Sequence, residues 1–399
     1  MRSALRRPGF RALAASYSAN TIGDVFGAVA LALLVLRETD SALATTALFL
    51  CAKALPAFAA PALTAAVDQR PAHRVLTAIY LTEVVVFAAL AGLASSFWLP
   101  AVLALAYVDG VLALTARGLT RGLSAAVLGP DHLRAGNALL NVAYAVGTAA
   151  APPIAGLVAH EAGFAAALWI DAGSFALAAL LVGVGVRGRV ARVATERERW
   201  RARLADGLAY VRGNAAARRL VAGEAVAIIF FTMAVPIEVV FVQRTLDSTS
   251  LGYGALLGSW GLGVIAGSVI FARTKGHLQA LIVLATAVVG VSYLGIAAAP
   301  NLLVACLAGV VGGVGNGIQW VSVMTALQEA VEDAFQARAA GLLESVGAIA
   351  PGIGFVAGGL LTVAASPRLA LAVGGVGALA VAAVWARYPL VRERVAAGA

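Results

Sequence analysis

The stretch from Ser18 to Leu36, SANTIGDVFGAVALALLVL, lies inside the first hydrophobic run of a 399-residue chain. It is long enough to cross a hydrocarbon core of ~30 Å, which takes roughly 20 residues of helix. Yet Asp24 sits near the middle of the run. A carboxylate at that depth costs from ~2.5 to ~10 kcal/mol or more unless it faces a cavity or a partner. Asp24 therefore reads as a functional group on a membrane helix, and the rest of the chain agrees with a membrane setting.

The composition is 61% apolar and only 12% charged, with a mean hydropathy of +0.91. A soluble domain runs at about half apolar and about a quarter charged. The net charge of +9 could suggest a nucleic-acid partner. Its distribution argues against one, because the basic residues fall in the gaps between apolar runs, as cytoplasmic arginines of membrane proteins do. Twelve apolar runs are long enough to span, centred near Asp24, Lys53, Val85, Leu112, Gly147, Phe175, Thr232, Ser259, Val288, Gly313, Gly352 and Ala378.

Charge alternates across the gaps. One side carries 23 of the 29 basic residues; the other holds Arg37, Arg244 and Arg368, while Lys53, Arg117 and Arg121 fall within spans. By the positive-inside rule both termini are expected in the cytoplasm of a cell (plasma or inner) membrane protein. The first run is too long for a signal-peptide core and lacks a small-residue cleavage site, so it reads as a retained span. Cys51 and Cys306 lie mid-span and offer no disulfide framework.

The longest polar interval separates spans six and seven. It divides the chain into 1–186, a basic linker over 187–218, and 219–399, two six-helix bundles of an all-α membrane protein. Within the linker, Thr195 and Glu198 have capping-box spacing, and Trp200, Leu204, Leu208 and Val211 step down one face of an amphipathic helix that would lie on lipid headgroups. Small residues four apart, Gly254/Gly258, Gly263/Gly267, Gly313/Gly317 and Gly354/Gly358, suit close backbone contact between membrane helices. No phosphate-binding loop and no HExxH motif occur, so neither an ATP-driven pump nor a metalloprotease has its signature. No catalytic residue, cofactor or metal site is expected, and the protein is not read as an enzyme.

Several stretches resemble the major facilitator superfamily. After span two, AAVDQRPAHRVL is similar to that family's loop between spans two and three, with Asp68, Arg70 and Arg74 matching. Thr64, Gln69 and Pro71 depart from it. In span five, GTAAAPPIAG is similar to the family's antiporter motif at Gly147, Pro152 and Gly156, with Ala151 replacing a glycine. LGPDHLRAGNALLN, WIDAGSFALAALL, LADGLAYVRGNAAARRL and ALQEAVEDAFQARAAGLLES resemble the drug:proton antiporter branch that includes macrolide and enterobactin exporters. The resemblance implies a cavity lined by spans one, four, seven and ten, and a gating role for the Asp68/Arg70/Arg74 loop.

Depth singles out the other candidates. At 1.5 Å per residue, Asp24 lies ~18 Å into span one and Lys53 ~15 Å into span two, with Asp109 at a similar depth in span four. These three are the expected proton-coupling residues; the alternative for Asp24 and Lys53 is a fixed ion pair that orders two helices. Tyr17 and Asn20 share the face of Asp24. In span ten Asn316, Gln319, Trp320 and Val323 share a face, where Trp320 could stack on a ring or cation. In span seven Glu224, Ile228, Phe231, Val235 and Glu238 step down one side. Tyr17, Asn20, Phe231, Asn316, Gln319 and Trp320 are therefore the expected substrate contacts. Glu83 is expected to pair with Arg117 or Arg121.

The function expected is export of an amphipathic small molecule, a drug or natural product, by a proton-coupled monomer working by alternating access. Its partners would be substrate, protons and the bilayer. Nutrient uptake or uniport by the same fold, and a non-transporting receptor or scaffold, stay open.

Overall fold

The structure is a computed structural model that describes residues 2–67, 70–186, 209, 211–274, 277–332 and 335–388. Among them every regular element is helical. From Pro8 onward the helices are α1 (Pro8–Thr39), α2 (Ala42–Phe49), α3 (Pro56–Val67), α4 (Ala72–Leu93), α5 (Leu99–Leu128), α6 (Pro130–Glu161) and α7 (Phe164–Gly185). They continue as α8 (Ala215–Thr232), α9 (Glu238–Val240), α10 (Ser250–Arg273), α11 (Leu278–Ala298), α12 (Leu302–Ala330), α13 (Gln336–Ala364) and α14 (Pro367–Arg387).

Eleven continuous helical stretches among the described residues are long and apolar enough to cross a membrane. Their outward side chains stay apolar: Leu180 is 60% and Leu303 68% exposed. Such a surface matches acyl chains rather than water. Polar residues punctuate the turns. Ser41 accepts a hydrogen bond from the Ala44 amide at 3.2 Å, Asn301 from that of Val304 at 3.1 Å and Ser366 from that of Leu369 at 3.1 Å. Each satisfies an amide that the start of a helix leaves unpaired.

The expected span around Thr232 is not one helix. α8 stops at Thr232, residues 233–237 form a turn, and α9 passes into a π-helical segment, Phe241–Thr245. Pro236 sits in that turn, with no amide to donate and a ring that blocks the preceding carbonyls. The continuous face expected from Glu224 through Val235 to Glu238 is therefore broken. The 187–218 linker reading falls mostly outside the described residues, with Thr195, Glu198, Trp200, Leu204 and Leu208 among those not described; Val211 is buried.

Helix neighbours repeat along the chain. Among the first seven helices α1 packs on α6 and α7, and α4 packs on α5 and α7. Later, α8 packs on α13 and α14, and α11 packs on α12 and α14. The same pattern of partners thus appears twice. Compact packing groups Met1–Thr195 with Glu238–Gly261 in one unit, and Glu196–Ile237 with Leu262–Ala399 in another.

Candidate functional site: a charged cavity in the first unit

The site begins with a proline. Pro56 cannot donate a helical hydrogen bond, and its ring crowds the carbonyl four residues earlier, that of Ala52. The backbone answers with a π-helical segment, Leu50–Ala54, closed by the Leu55 amide donating to the Leu50 carbonyl at 2.9 Å. One-turn π segments bulge a helix outward and often stand at functional positions. Here the bulge carries Lys53.

α5 fits against this bulge through Gly110. A Cβ there would stand 2.5 Å from Pro56 Cγ and collide with the Ala52 carbonyl oxygen, so only glycine permits the approach. The contact brings Asp109 up beside the segment that carries Lys53. α1 supplies Asp24, which accepts a hydrogen bond from Asn20 Nδ2 at 3.2 Å.

Asp24, Lys53, Asp109 and Arg117 line one cavity of about 90 Å³. Its apolar wall includes Leu31, Leu48, Phe87 and Leu114. The two carboxylates are half-buried, and Lys53 and Arg117 are exposed. Among the described residues no two of these four charges are in ion-pair contact. The alternative of a fixed Asp24–Lys53 ion pair is thus not what the side chains form. Arg117 is the cavity residue that the sequence reading assigned elsewhere. Its mid-span position in α5 is visible in the sequence, which offers it as a partner for Glu83. Both Glu83 oxygens are instead buried without a hydrogen-bond partner, so the expected pairing with Arg117 or Arg121 is absent.

Behind the cavity, α7 seats Asp171 against α1. A Cβ at Gly23 would lie 2.5 Å from Asp171 Oδ1, and one at Gly27 would collide with Oδ2. Ser174 donates to Oδ1 at 3.2 Å. The glycines on either side of Asp24 are therefore spaces for the Asp171 carboxyl group.

The other expected residues are spread more widely. Asn20 and Tyr17 lie one and two turns from Asp24, outside the cavity wall, and Tyr17 packs on the cluster of Phe10, Leu128 and Leu140. In the second unit Gln319 is buried and donates to Glu224 Oε2 at 2.5 Å, while Asn316 is half-buried and Trp320 39% exposed. Phe231 is buried, and its carbonyl accepts from the Tyr293 hydroxyl at 2.7 Å. Arg70 and Arg74 are exposed, and Asp68 lies outside the described residues.

Gly147, Pro152 and Gly156 are contact points of α6. A Cβ at Gly156 would lie 2.5 Å from the Ser250 carbonyl oxygen, and one at Gly147 3.0 Å from Thr21 Cγ2. The Pro152 carbonyl occupies the space left by Gly254.

The repeated helix packing is that of the major facilitator fold. Residues 2–397 match the family described as transmembrane secretion effector, and the chain belongs to it. No curated protein sequence matches the chain. Among solved structures, the nucleoside transporter NupG superposes with a TM-score of 0.71 at 13% identity, covering 95% of this chain and 98% of that one. A bacterial homologue of the iron transporter ferroportin in the inward-facing state gives 0.73 at 16%, covering 95% and 98%. A bacterial homolog of the human lysosomal transporter Spinster, inward-facing and occupied, gives 0.72 at 13%, covering 96% and 97%.

Proposed function

We propose that this membrane protein is a proton-coupled exporter of an amphipathic small molecule, with the first-unit cavity as the site where proton and substrate meet. One observation carries the reading. Two carboxylates and two cations line a single cavity halfway along the spans, and none is neutralised by direct contact with another. Charges at that depth persist when they face water, substrate or an ion path. A carboxylate such as Asp24 can hold either a proton or a cationic group of the substrate. That exclusivity is what exchange of one for the other requires.

Asp109 is the second candidate for the proton, and Lys53 sets the local field. Asn20 positions Asp24 through its hydrogen bond, and Tyr17 flanks it. Asn316, Trp320 and Phe231 are further proposed substrate contacts, with Gln319 acting through Glu224. The Asp68/Arg70/Arg74 loop and the Gly147/Pro152/Gly156 face are the proposed gates of alternating access. The family's description as a secretion effector supports the outward direction, and the similar structures include a nucleoside transporter and a bacterial homologue of an iron transporter. A monomer in the cell membrane with both termini cytoplasmic completes the proposal.

The test is substrate flux in proteoliposomes with and without an imposed pH gradient. Accumulation against a substrate gradient that requires the pH gradient supports proton-coupled export. Flux indifferent to pH would point to uniport, and none across a broad panel to a receptor or scaffold.

A further inference from the structure

The cavity charges form two levels. α1 and α5 are the first and fourth spans of an up-and-down bundle and run antiparallel. On α1 the wall runs from Asp24 through Ala28 to Leu31; on α5 it runs from Asp109 through Ala113 to Arg117. Antiparallel alignment sets the Asp24 end of one wall beside the Arg117 end of the other. The Gly110 contact with Ala52 and Pro56 sets Asp109 at the level of Lys53.

Asp109 and Arg117 are eight residues apart, so the two levels stand ~12 Å apart along the helix. Between them the wall is apolar: Ala28, Ala113 and Leu114. Each level therefore offers one carboxylate and one cation, and the wall between offers only hydrocarbon.

Such a lining is electrically balanced when its four groups are ionised. A ligand of one sign brings an uncompensated charge into a site at mid-membrane depth, where the penalty is several kcal/mol in order of magnitude. A ligand with one charge of each sign adds no net charge. Its ammonium can face a carboxylate at one level while its carboxylate faces a cation at the other, with the body against the apolar wall. Charge placement of this kind contributes selectivity by rejecting the wrong partner as much as by holding the right one.

We infer that the cavity selects amphoteric substrates, molecules bearing both a protonated amine and a carboxylate at opposite ends of a compact apolar or aromatic body. The inference rests on the cavity being the transporter's substrate site and narrows its substrate class. It also gives Arg117 a role, as the cation that receives the substrate carboxylate.

The experiment compares three probes sharing one ring. 4-(Aminomethyl)benzoate carries both charges. Its carboxamide keeps only the amine, and 4-(acetamidomethyl)benzoate keeps only the carboxylate. Binding to the purified full-length protein in nanodiscs is read by thermal stabilisation across a concentration series, with no gradient imposed. The amphoteric probe is expected to half-saturate at a concentration at least tenfold below either single-charge probe. In Arg117→Gln that advantage over the amine-only carboxamide is expected to disappear while the carboxamide's own binding persists. The wild-type comparison needs no variant and stands even where Arg117→Gln fails to fold. Equal binding of the carboxamide and the amphoteric probe to the wild type overturns the inference, as does the absence of stabilisation by any of the three. The two readings fail separately. Amphoteric preference without gradient-driven flux removes proton-coupled transport and leaves the site. Gradient-driven export of purely cationic compounds with no amphoteric preference removes this inference alone.

Discussion

Gly110 of α5 and Ala52 of the π-helical segment are in backbone contact, and no side chain fits between them. The contact is what sets Asp109 at the level of Lys53, so it links a packing detail to the chemistry of the cavity. Gly110→Ala should push the helices apart or distort the bulge, at a cost of ~1–3 kcal/mol typical of overpacking. A thermal melt should show the loss of stability. Flux per folded molecule should fall with it, since Lys53 and Asp109 would no longer share a level. Unchanged flux and melting temperature would mean the segment yields freely and does not position the site.

The sequence pattern of span ten suggests Gln319 as a substrate contact, and the structure gives it a buried partner, Glu224. Removing one member of a buried pair leaves the other without its hydrogen bond, at ~1–3 kcal/mol. Gln319→Ala is accordingly expected to destabilise the protein. A double-mutant cycle with Glu224→Ala should return a coupling of ~0.5 kcal/mol or more. Additive effects would show that Gln319 is energetically independent of Glu224 and restore it as a direct substrate contact.

Outside the spans, Arg244 pairs with Asp40, the residue that ends α1 in a left-handed conformation with φ of 48°. Their side chains are 38% and 90% exposed. An ion pair so open to solvent is worth only ~0–1 kcal/mol. Asp40→Asn, which keeps the tolerance for positive φ, should shift the melting temperature little. A loss well above that range would mean the pair is shielded in the membrane-embedded protein.

Eleven of the twelve expected spans were legible because a helix in lipid must be apolar for about 20 residues, whatever it packs against. The break after Thr232 was not. Met233 to Ile237 are as apolar as their neighbours, and only Pro236 hinted at the turn. Asp24, Lys53 and Asp109 stood out as charges in apolar runs, and the structure brings all three to one cavity. Arg117 carries the same signal, but the sequence does not separate the cavity from Glu83 as its surroundings, since one sequence gives depth along a helix but not the direction a side chain faces. The π-helical segment left one trace, Pro56. The partition of the span-ten face, with Gln319 and Val323 buried and Trp320 exposed, depends on neighbours that no local pattern encodes.

The orientation expected from charge asymmetry is open to cysteine labelling in a Cys51→Ser, Cys306→Ser background. A cysteine introduced at Ser96 or Ser248 should react with an impermeant reagent from outside the cell. One introduced at Thr195 should react only after the membrane is opened. Labelling of the Thr195 position from outside would invert the topology, and export would become uptake.

Asp24 carries the coupling proposal, and the amide variant tests it. Asp24→Asn keeps the size of the side chain and the capacity to bond with Asn20, but it can neither release a proton nor carry a negative charge. Removing a charge at mid-span relieves a membrane penalty, so the variant is expected to insert and melt at or above the wild-type temperature. Export driven by a pH gradient should fall to background. Movement down a substrate gradient should persist at reduced affinity, because the opening and closing of the cavity does not itself require the charge. Asp109→Asn, in the same cavity, is the matched control and should retain part of the gradient-driven flux. If Asp24→Asn still concentrates substrate with the wild-type dependence on pH, Asp24 is not the coupling group. Should Asp109→Asn then be the variant that loses uphill flux, Asp109 takes the role.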